Sequence, residues 1–140
     1  MTEVEGIIIT ERPYSETSKL LTIFTKEYGL INVMAKGAKQ LKSELRIVSE
    51  RLTYAKFNIQ YKKDKISTLI NATIIDRLKA IKTDIDKISY VSYILELTEQ
   101  VAKQHYNERL YELVISAILK INDNYDGFVN QIFNLFLEYG

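Results

Sequence analysis

No cysteine occurs in the 140 residues, so neither a disulfide scaffold nor a thiolate metal site can be built from this chain. A single histidine, His105, excludes a histidine-rich zinc site and a pair of catalytic imidazoles. The five glycines (Gly6, Gly29, Gly37, Gly127, Gly140) are scattered, which leaves no glycine-rich phosphate loop. No apolar run approaches the roughly 18 residues that a membrane helix needs. The opening MTEVEG is acidic where a signal peptide is basic and then apolar. The expectation is therefore a cytoplasmic protein with no membrane partner.

What is present is an ordinary globular composition, 46% hydrophobic and 26% charged. The length fits one domain or two small ones. A net charge of +1 conceals a split. Residues 1–80 hold 14 Lys and Arg against nine Asp and Glu, a balance of +5, whereas residues 81–140 hold five against nine, a balance of −4. Halves of opposite sign point to two modules with different partners. Between Lys36 and Lys65 nine bases meet three acids, an excess that either binds a polyanion or is a solvated charged face.

The first half has the two-residue period of strands. Glu5–Glu11, Leu20–Thr25, Leu30–Ala35, Thr53–Tyr61 and Ile66–Ile75 are short, β-branched or alternating. Lys26-Glu27-Tyr28-Gly29 is the turn of a hairpin. In Thr53–Tyr61 the alternation places Ala55, Phe57, Ile59 and Tyr61 on one face and Tyr54, Lys56, Asn58 and Gln60 on the other. Five such strands with hairpin links predict a small closed barrel or a sandwich. Gly37–Glu50 breaks the rhythm. Its apolar Leu41, Leu45 and Val48 fit a basic loop holding one short helix.

After Asp76 the period becomes helical. Thr83 and Asp86 form a capping signal ahead of a stripe through Ile85, Ile88, Val91, Leu95, Thr98 and Val101. Asn107 caps a second helix with Leu110, Leu113, Val114, Ala117, Ile118 and Ile121 on its buried face. Asn122–Tyr125 is a loop, and Asp126 caps a third helix running through Leu137. The domains expected are 1–80 and 81–140. The second ends on an apolar helix and is expected to be incomplete.

No catalytic set can be assembled around one histidine, so an enzyme is not expected. Asp84 and Asp86 belong to a helix start rather than to a metal site. Tyr14, Tyr54 and Tyr61 lie close in sequence to bases, where they either pack or stack on nucleobases.

The run EGIIITERPYSETSKLLTIFTKEYGLINVMAKGAKQ resembles the start of the RecO family of recombination mediators. The matching pieces are EGIIIT, then Arg12-Pro13-Tyr14-Ser15-Glu16, then LLTIFTKEYG, then MAKGAK, in that order and spacing. The similarity continues through TYAKFNIQY into ISYVSYILELTEQV and ERLYELVISAI.

The resemblance implies a five-stranded oligonucleotide-binding (OB) barrel followed by an α-helical domain. It implies DNA repair and recombination without covalent chemistry or a cofactor. The activities it implies are binding of single- and double-stranded DNA, annealing of complementary strands, and help in loading RecA onto protein-coated strands. The implied partners are RecR and the acidic tail of the single-stranded-DNA-binding protein. Many RecO-like chains also carry a four-cysteine zinc module, which this cysteine-free chain cannot supply. The alternatives are a generic single-strand nucleic-acid module and a protein-interaction adaptor that binds no DNA. The expected DNA-binding residues are Lys36, Lys39, Lys42 and Arg46, flanked by Arg12 and Arg51.

Overall fold

The computed structural model describes residues 1–123 and Leu137. The chain divides into two compact units, Met1–Arg77 and Leu78–Gly140.

The first unit is built from β1 (Thr2–Pro13), β2 (Lys19–Thr25), β3 (Gly29–Ala35), β4 (Tyr54–Gln60) and β5 (Ser67–Asp76), with the single-turn helix α1 (Leu45–Val48) between β3 and β4. The strands close into a barrel in the order β1-β2-β3-β5-β4. Every neighbouring pair is antiparallel except β3 and β5, which run parallel. A closed five-stranded barrel with these crossovers is the OB fold.

Closure depends on β1, which is longer than the predicted Glu5–Glu11. Its first part, Thr2–Ile7, pairs with β4, and Gly6–Pro13 pairs with β2. A register shift between Ile8 and Thr10 bends the strand between these tasks. Gly6 takes part in both pairings. A Cβ there would lie 2.5 Å from the carbonyl oxygen of Phe24, so the close approach of the two backbones requires glycine.

The predicted hairpin joins β2 to β3. Thr25 Oγ1 donates to the Gly29 carbonyl at 2.8 Å and accepts from the Tyr28 amide at 3.0 Å. Gly29 closes the turn with a φ of 67°. The barrel interior holds Val4, Ile8, Leu21, Ile23, Val33, Phe57, Ile59 and Leu69. In β4, Ala55, Phe57 and Ile59 are buried and Lys56 and Gln60 exposed, as the alternation predicts. Tyr54 departs from the pattern: predicted on the polar face, it is 7% exposed. In the Gly37–Glu50 segment only the last part is helical. Leu45 packs against the barrel core, while Leu41, which precedes the helix, is exposed.

The second unit contains α2 (Lys79–Lys82), α3 (Ile85–Ala102) and α4 (Glu108–Asn122). The α2 turn follows Leu78, whose φ is 50°, and has no counterpart in the sequence pattern. It also shifts the cap of α3. Thr83 Oγ1 donates back to the Lys79 carbonyl at 2.8 Å, so Thr83 cannot cap α3. Asp84 does so instead, its Oδ1 accepting from the amides of Asp86 at 2.9 Å and Lys87 at 3.2 Å. The buried stripe of α3 is Val91, Ile94, Leu95, Thr98 and Ala102. Ile85, predicted at its start, is exposed because it is the first helical residue and lies off that face.

Asn107 caps α4 as predicted, accepting from the Leu110 amide at 2.9 Å. Its buried face holds Leu110, Val114, Ala117, Ile118 and Ile121, widened by Tyr111 and Ile115, whereas Leu113 is half-buried. Asn122 ends α4 rather than opening a loop, and its side-chain oxygen accepts from the Ile81 amide at 3.2 Å. The third predicted helix, from Asp126, lies outside the described residues apart from the exposed Leu137. Among the described residues no helix is long and apolar enough to cross a membrane.

Candidate nucleic-acid interface

The β2–β3 ribbon has seven residues on each strand, roughly 20 Å at ~3.3 Å per residue. Its pairing register separates two ends. Lys19 faces Ala35 at one, and Thr25 faces Gly29 at the other. OB folds offer this ribbon and the loops after β1 and β4 to oligonucleotides.

At the first end the β1–β2 loop is tied to the segment that follows β3. The Lys39 amide donates to the Thr17 carbonyl at 2.9 Å, and the Gly37 amide to Ser18 Oγ at 3.1 Å. Lys39 Nζ reaches the Ser15 carbonyl at 3.4 Å. These bonds set Lys36 and Lys39 beside the loop that carries the exposed Tyr14. Lys42 and Arg46 continue along the same segment, and Arg12 lies near the end of β1. All five bases are exposed. Glu16, Glu44 and Glu50 interleave with them in sequence, but among the described residues none forms an ion pair with them.

Two neighbouring bases are used differently. Lys19 Nζ is 2.9 Å from Glu11 Oε1, an ion pair whose side chains are 15% and 31% exposed, so its charge is already answered. The other oxygen of Glu11 accepts from the Arg51 amide, and Arg51 Nε donates to the Ile9 carbonyl at 3.0 Å. Arg51 is half-buried and helps hold the α1 segment to β1. Of the six predicted residues, Arg51 alone is not exposed.

The ribbon between the ends is uncharged. Leu21, Ile23, Val33 and Ala35 point into the core. The alternation therefore turns Leu20, Thr22, Asn32 and Met34 outward. Thr22 donates to the Asn32 side-chain oxygen across the pair at 3.3 Å.

At the second end lie the β2–β3 turn and the β4–β5 loop, 61–66. Lys62, Lys63 and Lys65 are exposed there, with Asp64 at a φ of 58°. The Lys62 amide donates to Ser67 Oγ at 2.9 Å, which pins the loop's base. The rings of Tyr28 and Tyr61 stack, their centroids 4.0 Å apart and their planes within 9°. Of the three tyrosines predicted to pack or stack, Tyr14 is exposed, Tyr61 is half-buried and Tyr54 is buried, which removes Tyr54 from any surface. The sequence pattern does not single out Tyr28. Its only signal is a place next to a turn glycine, since its ring partner lies beyond two further strands in the chain.

Comparison with known proteins agrees with this architecture. The family described as Recombination protein O N terminal matches residues 1–78, and Recombination protein O C terminal matches 82–139. A protein of Halalkalibacterium halodurans named DNA repair protein RecO is 37% identical over 125 residues, covering 89% of this chain and 49% of its own length. One of Bacillus cytotoxicus with the same name is 38% identical over 125 residues, covering 89% of this chain and 50% of its own length. The chain thus spans about half the length of the curated relatives it matches. With both family regions matched in order and a closed barrel preceding the helices, this chain belongs to the RecO family.

Proposed function

We propose that this chain acts in DNA repair as the DNA-gripping part of a recombination mediator. The observation that carries this reading is the group of exposed bases, Arg12, Lys36, Lys39, Lys42 and Arg46, around one end of the OB ribbon. Such bases displace counterions from phosphates and give affinity without sequence preference. The relatives' name, DNA repair protein, supports the biological setting.

In this reading the chain binds single- and double-stranded DNA and anneals complementary strands. Annealing requires two backbones held close with their charge screened, which needs a basic surface and no acid or base catalyst. With RecR the protein helps RecA onto strands coated by the single-stranded-DNA-binding protein, whose acidic tail it engages. No covalent bond is made or broken.

A fluorescence-quenching assay with two labelled complementary oligonucleotides, run with a chelator, tests the reading. The expected result is faster annealing that the chelator leaves unchanged. Acceleration that disappears with the chelator overturns the cofactor-free mechanism. Binding without acceleration leaves a generic nucleic-acid module, and no binding at low salt leaves a protein adaptor.

A further inference from the structure

We propose that the cleft at the second end of the ribbon is a subsite for one unpaired nucleobase and its adjoining phosphate, which makes this end selective for single-stranded DNA. The inference rests on the DNA-binding reading and adds a second contact of different chemistry. The cleft measures about 450 Å³, within the range of sites that hold small ligands. Tyr28 and Tyr61 line it together with Leu30, Asn32, Lys62 and Lys65.

Each part matches one portion of a nucleotide. The stacked tyrosines form a flat aromatic platform. Tyr28 stacks on Tyr61 yet remains 41% exposed, which leaves part of its surface accessible to a further planar group. Base stacking on such a ring accepts any of the four bases. Asn32, whose side-chain oxygen already accepts from Thr22, supplies its amide donors for a base edge. Lys62 and Lys65 bring positive charge to the lining for a phosphate and outnumber the one carboxylate there, Asp64.

The platform is also held in place before any ligand arrives. Tyr28 sits in the turn fixed by the two Thr25 hydrogen bonds, and Tyr61 packs against the barrel core. A preset platform loses little freedom on binding. Paired bases in a duplex already stack on both faces and cannot offer one to Tyr28. The basic end of the ribbon, by contrast, reads phosphates that both DNA forms carry.

Binding of the full chain to a single-stranded thymidine oligonucleotide and to a duplex of equal length separates the two contacts. Y28A combined with K65E is expected to weaken single-strand binding about tenfold or more, the loss of one stack and one phosphate contact, and to leave duplex binding within about twofold. Tyr28 and Lys65 lie on the surface, so circular dichroism should match the parent. A fluorescent base analogue, 2-aminopurine, in the oligonucleotide should be quenched by the parent and not by Y28A alone. Unchanged single-strand affinity and unchanged quenching in these variants overturn the subsite even when K39E/K42E abolishes binding. Equal losses on both DNA forms overturn its selectivity. A parent that binds neither form overturns the DNA-binding reading and the subsite with it.

Discussion

The barrel and the helical unit reach order by different routes, and the difference explains how one ribbon comes to carry two unlike ends. The helices are assembled from neighbours in sequence. Asp84 and Asn107 cap them within three residues, and their buried faces recur every three or four positions. The barrel depends on distant partners, since Thr2 faces Ile59 and the Arg51 amide reaches Glu11. Long-range pairing brings loops from separate parts of the chain to the two ends of one ribbon. That is how a basic end and an aromatic end arise on a surface whose middle is uncharged. The helical half carries a balance of −4, which opposes phosphate binding.

The contrast can be broken most forcefully in the barrel interior. Phe57 is fully buried, and Phe57→Ala should cost roughly 3–5 kcal/mol, read as a lower urea midpoint, with DNA binding lost as the barrel loosens. Retained stability would show that the barrel does not depend on this centre.

A smaller effect on folding and a large one on binding is expected from K39E/K42E. Both side chains are exposed, so the fold should persist while affinity falls for every sequence. If four phosphates are engaged by the parent, its single-strand log–log salt slope should be about −3, and the variant's about −1.5. An unchanged slope would remove the basic end from the interface.

The smallest effect belongs to the helical unit. Asp84→Ala removes the cap of α3 and should cost about 1 kcal/mol with DNA affinity unchanged. A loss of affinity comparable to that of K39E/K42E would erase the division of labour between the two halves.

Local rules make much of this legible in the sequence. The alternation in Thr53–Tyr61 and the turn at Tyr28-Gly29 predict strands that form. The ends of β1 escape, because Thr2 and Glu3 are recruited by closure onto β4, and Pro13 by pairing with Lys19 of β2, rather than by propensity. The capping signal at Thr83 falls one residue early, since nothing in sequence shows that Thr83 bonds backwards to Lys79. The basic excess is visible in composition, but its division between two ends is not. Arg46 and Arg51 are equivalent by composition, and only the fold tells them apart. Arg46 is exposed on α1, whereas Arg51 is half-buried against β1. The same side chain thus faces solvent in one case and braces the barrel in the other.

The parallel pairing of β3 with β5 rests on only two register positions, Val33 with Ser67 and Met34 with Thr68. Every other seam of the cylinder is longer. Opening the sheet there breaks the fewest cross-strand pairs, so the amides of this seam should exchange with solvent sooner than those of the other four. The β4–β5 loop hangs from the same seam, because Ser67 both begins β5 and holds the Lys62 amide. An opening at this seam leaves the longer antiparallel pairs of the other four undisturbed.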